Sequence, residues 1–168
     1  LERGDILKTK NCTFTILHPY KGFYVTTVSK GSNELSLVFS FKCFTKTFLF
    51  TSDVGNEALE SIPTNYIMAD IIKIPHHGSR YSFYEEFYEA VKPKICIFSV
   101  SENNPYGHPH REILEYLKDK CKIYRTDLNG AIQIKEKLLG NIEIKTFEET
   151  KITPYKEWDN LKKLFILW

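Results

Sequence analysis

Three short polar segments of the sequence carry side chains that could bind a metal ion or move a proton. They are Thr51-Ser52-Asp53, Pro75-His76-His77-Gly78-Ser79 and Tyr106-Gly107-His108-Pro109-His110. Each lies next to an apolar run typical of a strand, and loops at strand ends in an α/β sheet converge on one place. Aspartate oxygens and histidine nitrogens hold Zn²⁺ or Mn²⁺, and one carboxylate can bridge two metals. The segments therefore predict a metal-dependent site.

Each of these residues also has an ordinary structural explanation. An isolated Asp53 is more often a turn or cap residue than a ligand. His110 could simply begin a helix, and His18 could cap the end of a strand. Convergence favours chemistry, because four of the five histidines lie at two strand-to-loop junctions and an aspartate lies at a third. Gly78 would let the backbone or a substrate approach closely.

The hydrophobic pattern predicts the elements that would position these segments. Strands are predicted at 12–18, 35–41, 47–51, 69–74, 94–100, 122–125, 131–135 and 141–146. The strand at 131–135 is expected to pair back on 122–125 across a turn at 127–130, and 141–146 is expected at a sheet edge. Helices are predicted near 57–62, from 82 to 92 with a Ser82–Glu85 capping box, at 110–120 and in the tail at 155–168.

Length and composition indicate one soluble globular domain. Strands come first along the chain and then alternate with helices, which predicts helices packed on a mixed sheet, an α/β (α+β layered) fold class. The 168 residues are 42% hydrophobic and 26% charged, and the formal net charge is +2. That charge is no evidence for a nucleic-acid-binding surface, although it does not exclude DNA as a substrate. There is no apolar run of transmembrane length, and the amino-terminal residues do not resemble a signal peptide.

The four cysteines show no metal-ribbon or thioredoxin spacing. Cys96 lies inside an apolar run and is interpreted as a small core residue rather than a redox group or ligand. The even number leaves disulfides open, and nothing in the spacing favours them.

The order and spacing of several strings resemble a known family. The strings are FLFTSD, ADIIKIPHHGS, EAVKPKICIFSV, NNPYGHPHREILEYL and YRTDLNGAI. Together, from about residue 17 to 134, they are similar to the C-terminal part of the metallo-β-lactamase-like domain of ComEC competence proteins. The resemblance implies that residues 1–168 form a single domain, the C-terminal half of an αββα sandwich that holds two divalent metals, zinc or manganese.

The resemblance also implies roles for individual residues. Asp53 stands where the family has its metal-bridging aspartate, His77 stands at a metal-ligand histidine, and His18 matches a further histidine ligand. His108 would position a phosphate or protonate the leaving oxygen, and His76 would face the substrate as a second catalytic residue. Substrate-binding positions are Ser79, Tyr106 and His110.

Two departures from the family pattern matter. Ser52 stands where the family usually has a glycine, which adds a Cβ in a tight turn. The family's His-x-His-x-Asp-His metal motif is absent from this sequence, and the part of the domain that carries it would also supply one sheet of the sandwich. We therefore expect the isolated chain to bind metal weakly or not at all, to be inactive, and to dimerise or pair with another fragment through an exposed apolar sheet face.

By resemblance, the intact protein would be a phosphodiesterase or nuclease of DNA uptake, with DNA or another phosphodiester as substrate and a membrane-embedded remainder. The localisation of this segment is left open. Three other interpretations stay open: a non-catalytic structural or interaction module, a standalone phosphodiesterase with another substrate, and an unrelated α/β domain with accidental histidines. Retained imidazoles at strand ends favour the enzyme, and the absent motif favours the module.

Overall fold

A seven-stranded mixed sheet is the central element of the computed structural model, which describes residues 1–23, 32–137, 140–147 and 165–167. Its strands, adjacent in chain order, are β1 (Ile6–Lys8), β2 (Cys12–His18), β3 (Val38–Cys43), β4 (Lys46–Phe50), β5 (Ile71–Lys73), β6 (Ile95–Phe98) and β7 (Lys122–Arg125). Strands β1 to β4 pair antiparallel, and β4 to β7 pair parallel. The parallel strands therefore end at one edge, and the segments that follow them meet there.

Short helices connect these strands. They are α1 (Asn56–Ser61), α2 (Glu85–Val91), α3 (Arg111–Leu117) and the single turn α4 (Thr126–Asn129). Among the described residues, 3₁₀ helices lie at Ser32–Leu35, Thr64–Tyr66, Pro75–Gly78 and Arg80–Ser82.

Alternation along the central strands separates two cores. Leu49, Ile72 and Cys96 are buried with side chains of α1, α2 and α3, such as Leu59 and Phe87. Their chain neighbours point to the opposite face, because successive side chains of a strand alternate. The helices therefore cover one face of the sheet, which confirms the predicted mixed sheet with helices packed on it.

A second, three-stranded sheet lies on the opposite face. Strands β8 (Ile132–Glu136), β9 (Ile142–Thr146) and β10 (Phe165–Leu167) are arranged in the order β10-β8-β9. Ile132 and Ile134 of β8 are buried against Phe41, Phe48 and Ile97 of the large sheet. This chain therefore contributes at least these three strands to a second sheet, and the expectation that another part of the domain supplies one sheet of the sandwich remains a prediction.

Two further predictions about these strands are corrected. Residues 131–135 do not pair back on β7, because β8 gains more apolar burial by crossing to the second core. The helix predicted for the tail is wrong at residues 165–167, which form β10 and pair antiparallel with β8. The rest of that prediction lies outside the described residues. The prediction of 141–146 as an edge strand is confirmed by β9.

Most element boundaries agree with the predictions within three residues at each end. Strand β1 was not predicted, because three residues are too few to show an alternation of apolar and polar side chains, and its apolar residues Ile6 and Leu7 are exposed. The Ser82–Glu85 capping box is wrong. Helix α2 begins at Glu85 with Tyr84 before it and no side-chain cap, while Ser82 is buried at the end of a 3₁₀ helix.

The structure pairs the four cysteines as two disulfides. Cys12 and Cys43 face each other across β2 and β3, and Cys96 of β6 bonds Cys121 just before β7. The interpretation of Cys96 as a core residue is confirmed, since it is fully buried. Its pairing depends on the neighbouring position of β6 and β7, which the sequence spacing does not reveal.

Candidate functional site

The loop after β5 has an uncommon backbone that carries the adjacent histidine pair. His76 and His77 both lie in the left-handed region, with φ of 45° and 57°, and Gly78 follows at φ 84°. A non-glycine residue in this region costs about 1–2 kcal/mol, and such strain often marks functional sites. Backbone hydrogen bonds hold the loop in place: His76 donates to the carbonyl of Ser52, and Ser79 donates to the carbonyl of His76.

The histidine loop also contacts the segment that follows β6. The backbone N–H of His110 donates to the carbonyl of Gly78 at 2.9 Å. A Cβ on Gly78 would lie only 2.6 Å from the Cβ of Pro109 and 2.8 Å from a ring carbon of Phe98. Gly78 is therefore closely approached, by side chains of the protein; an approach of substrate remains a prediction.

His77 has the orientation of a metal ligand. Its Nδ1 lies 2.5 Å from the carbonyl oxygen of Ser99, which can only accept, so Nδ1 carries a proton and Nε2 is the ring nitrogen left for another partner. Nε2 points at the Asp53 carboxylate, 3.5 Å from Oδ1. Ligating histidines usually donate their other ring N–H to a carbonyl or carboxylate in this way.

The separation of these two donors fits one shared ion. Two ligands about 2.0–2.2 Å from a tetrahedral Zn²⁺ lie about 3.3–3.6 Å apart, which includes the observed separation of Nε2 and Oδ1. Both side chains are partly exposed, at 41% each. Across the described ranges, however, no group of three or more His, Cys, Asp or Glu side chains is arranged to hold a metal. The chain thus presents two donors that fit one coordination shell.

Asp53 follows β4 in a tight turn. Ser52 lies at φ 47°, in the region that favours glycine, so the Cβ does lie in a tight turn, as predicted. The Ser52 hydroxyl donates to the carbonyl of Leu37 at 2.7 Å, which holds the turn against the start of β3.

Lys73, which the sequence pattern did not single out, also belongs to the site. Its ammonium group donates to the carbonyl of Ser52 at 2.8 Å and lies 3.4 Å from Asp53 Oδ1. Burial lowers the pKa of Lys73, while the Asp53 carboxylate opposes that shift. Lys73 therefore places a positive charge beside the two donors, where an anionic substrate or a carboxylate would be stabilised.

His108 lies among the other imidazoles. Its ring centroid is 5.7 Å from that of His76, 6.3 Å from that of His77 and 4.9 Å from that of His110. Partial burial lowers the pKa of His108, and the neighbouring imidazoles lower it further. Burial likewise lowers the pKa of His76, although Asp53 opposes that shift. Both are therefore neutral near pH 7 and able to accept a proton.

The remaining predicted residues lie in different surroundings. Tyr106 is 74% exposed, and its ring stacks on His108 with 5.8 Å between centroids. His110 Nδ1 accepts a hydrogen bond from the backbone N–H of Arg80. Ser79 is buried and accepts from the N–H of Tyr81, so its hydroxyl caps a helical turn.

His18 is not brought together with Asp53. It is fully buried, its Nε2 donates to the carbonyl of Glu34 at 2.7 Å, and its Nδ1 lies 3.2 Å from the hydroxyl of Ser61. Burial lowers its pKa. A role for His18 as a ligand remains a prediction, and it would require one of these hydrogen bonds to be given up.

The fold and the site together define a class: a layered α/β chain with an aspartate, four clustered histidines and a lysine where parallel strands end. No family model matches the sequence. The chain is 34% identical to ComE operon protein 3 of Bacillus subtilis over 140 residues, which is 82% of this chain and 17% of that protein. Over 122 residues it is 25% identical to Recombination protein 2 of Haemophilus influenzae, covering 72% of this chain and 15% of that protein. It is also 32% identical to Competence protein ComA of Neisseria gonorrhoeae over 89 residues, or 51% of this chain and 13% of that protein.

The chain belongs to the ComEC family, which confirms the resemblance found in its motifs. It spans about one sixth of the length of these curated relatives. Within the part of the chain that the structure describes, no helix is long and apolar enough to span a bilayer.

Proposed function

We propose that this chain supplies part of the metal centre of a phosphodiester hydrolase that acts on DNA within a competence protein. The observation that carries the proposal is the alignment of Ser99, His77 and Asp53, which leaves one nitrogen and one carboxylate facing each other at ligand spacing. The names of the relatives, ComE operon protein 3 and Competence protein ComA, support the assignment to competence and hence to DNA.

Two divalent metals, zinc or manganese, would lower the pKa of a bound water and stabilise charge on a phosphate when bound. The residues of this chain have their own tasks. Asp53 and His77 would hold a metal ion, with the Ser99 carbonyl orienting the His77 ring. Lys73 keeps the Asp53 carboxylate in place and adds a positive charge for phosphate oxygens.

Proton movement is assigned to the other imidazoles. The ring of His108 lies about as close to His76 and His77 as those two lie to each other, with centroid separations of 5.7, 6.3 and 6.2 Å. Burial and the neighbouring imidazoles hold the pKa of His108 below its usual value. A neutral imidazole can take a proton from one group and return it to a leaving oxygen. His76 faces the same space, where its ring can donate a hydrogen bond to a phosphate oxygen.

The rest of the centre would come from outside the described residues. Two donors leave a tetrahedral shell incomplete, so metal binding by this chain alone is expected to be weak and turnover absent. The half-buried aromatic face of Phe14, Phe39 and Phe50 beside the site would pair with the remainder of the domain or with a second copy. A membrane-embedded remainder of the parent protein is part of this proposal.

One observation favours a non-catalytic alternative. Among the described residues, no three donors converge, as they would in a complete metal site. A binding or structural module of a competence protein would keep the fold and need no turnover. The experiment below separates the two.

The proposal is tested in a chimera in which this chain replaces the matching segment of ComE operon protein 3. The purified chimera is expected to cleave labelled DNA with added Mn²⁺ or Zn²⁺. Asp53→Asn and His77→Gln are expected to reduce the rate at least about tenfold, since metal-site changes typically have effects of that size or more. Asp119→Asn, an exposed carboxylate at the end of α3, is the matched control.

Two results would count against the enzyme. Equal cleavage by the Asp53→Asn chimera would remove the assigned metal role. A folded chimera that binds manganese but cleaves no DNA would favour the non-catalytic module.

A further inference from the structure

Three aromatic rings form a ladder that leads away from the two metal donors. The ring of His77 is nearly parallel to that of His108, with 21° between planes, and Tyr106 is nearly parallel to His108 at 23°. Tyr106 ends the ladder and is 74% exposed. Proton transfer and metal binding give no reason for a large exposed ring at this position.

The turn that carries Tyr106 is held in a fixed shape. The Asn104 side chain accepts from the backbone N–H of His108 and donates to the carbonyls of His108 and Ser101, at 2.8, 2.8 and 3.1 Å. The exposed Tyr106 therefore projects from an ordered support, so little conformational freedom is lost when a ligand contacts its ring.

A cavity of about 440 Å³ lies beside this ladder. Its walls include His77, His108, Tyr106, Pro105, Val100 and Thr126. The volume lies in the range of small-molecule pockets, about 300–1,000 Å³, and is far larger than a phosphate or a water requires.

Two polar side chains of this wall, Thr126 and Asn104, are already engaged within the protein. The Thr126 hydroxyl accepts from the N–H of Val100 and donates to its carbonyl, both at 2.7 Å. The Asn104 amide is used in the turn. The cavity therefore offers flat ring surface and aliphatic contacts more than hydrogen-bond readout, which suits a planar apolar group of variable identity.

We propose that this cavity is a stacking subsite for a nucleobase of a single-stranded DNA substrate, with Tyr106 as the principal stacking residue. The inference rests on the proposed function for the identity of the substrate as DNA, and it adds a binding site for the base next to the reacting phosphate. His77 connects the two sites, because its Nε2 faces Asp53 while its ring lines the cavity. Stacking accepts any base, since every base has a π-face.

The test is binding of fluorescein-labelled hexamers by the full chain in EDTA, followed by fluorescence anisotropy. Tyr106→Ala is expected to weaken binding of a thymidine hexamer about 5- to 150-fold, the equivalent of one lost base stack. Tyr106→Phe keeps the ring and is expected to bind within about twofold of the unchanged chain. Tyr66→Ala is the matched control, because Tyr66 is 70% exposed and is not among the cavity residues.

A hexamer without bases is expected to bind the unchanged chain as weakly as the thymidine hexamer binds Tyr106→Ala. An adenosine hexamer is expected to show the same dependence on Tyr106. The proposal is overturned if the unchanged chain does not bind the thymidine hexamer, if Tyr106→Ala binds equally well, or if the abasic hexamer binds as tightly. Because EDTA removes metals, failure of the metal centre would leave these results unchanged, and the two proposals fail separately.

Discussion

Gly78→Ala tests whether the histidine loop is shaped by close packing against the segment after β6. A methyl group at this position would lie 2.6 Å from Pro109 Cβ and 2.8 and 2.9 Å from two ring carbons of Phe98. Neither neighbour can move easily, since the proline ring is rigid and Phe98 is fully buried. The backbone would also have to keep φ at 84° with a side chain present.

The expected cost has two parts. The left-handed backbone costs about 1–2 kcal/mol for a residue with a Cβ. Overpacking against a well-packed core costs about 1–3 kcal/mol. The free energy of unfolding should therefore fall by about 2–5 kcal/mol. In a chain of this length, that corresponds to a decrease in Tm of about 4–20 °C.

The assay is urea and thermal unfolding of the chain, with Gly22→Ala as control. Gly22 has nearly the same φ of 87°, but a Cβ added at Gly22 would meet nothing within 4 Å. Gly22→Ala should thus show the backbone cost alone, and Gly78→Ala should lose about 1–3 kcal/mol more. Equal losses in the two variants would refute the argument from packing.

Two further predictions concern stability. Burial and the charge of Arg3 lower the pKa of His18 in the folded chain. Below the ordinary histidine pKa near 6.5, the unfolded chain therefore binds more protons than the folded chain. The free energy of unfolding should fall as the pH drops below that value. His18 contributes at most about 1.4 kcal/mol per pH unit to the slope of the unfolding free energy against pH. The slope is measured by urea unfolding from pH 7.5 to 5, and an unchanged slope in His18→Gln would contradict the assignment to His18. The Cys12–Cys43 and Cys96–Cys121 disulfides join residues 31 and 25 positions apart. Replacing either pair by alanines should lower the free energy of unfolding by about 3.5–4 kcal/mol, because the unfolded chain gains the entropy of an open loop. Free thiols detected in the native, unreduced chain would contradict the pairing.

Much of the central sheet could be predicted because its buried strands are short apolar runs bounded by polar residues. Strand β5 lies within the prediction for 69–74, and its carboxyl end delivers the histidine pair where the pattern placed it. The approach of Asp53 to His77 followed from strand ends alone. These parts depend on local pattern and on the geometry of parallel strands.

Other parts depend on contacts that no local pattern contains. In the sequence, Lys73 is a single polar residue within an apolar strand. Only the fold places its ammonium group beside Asp53. The carbonyl of Ser99 orients His77, yet every residue has a carbonyl, so no sequence signal identifies it. Strand β8 crosses to a second sheet because of apolar burial far along the chain, against the usual expectation that consecutive strands pair.

The most direct test of the central claim is zinc titration of the ¹⁵N-labelled chain, monitored at the histidine ring nitrogens by NMR. The account predicts that Zn²⁺ shifts His77 Nε2, with weak affinity, and that Asp53→Ala abolishes the shift while Asp119→Ala preserves it. No shift at His77, or an equal shift in Asp53→Ala, would contradict the claim that Asp53 and His77 share one metal ion.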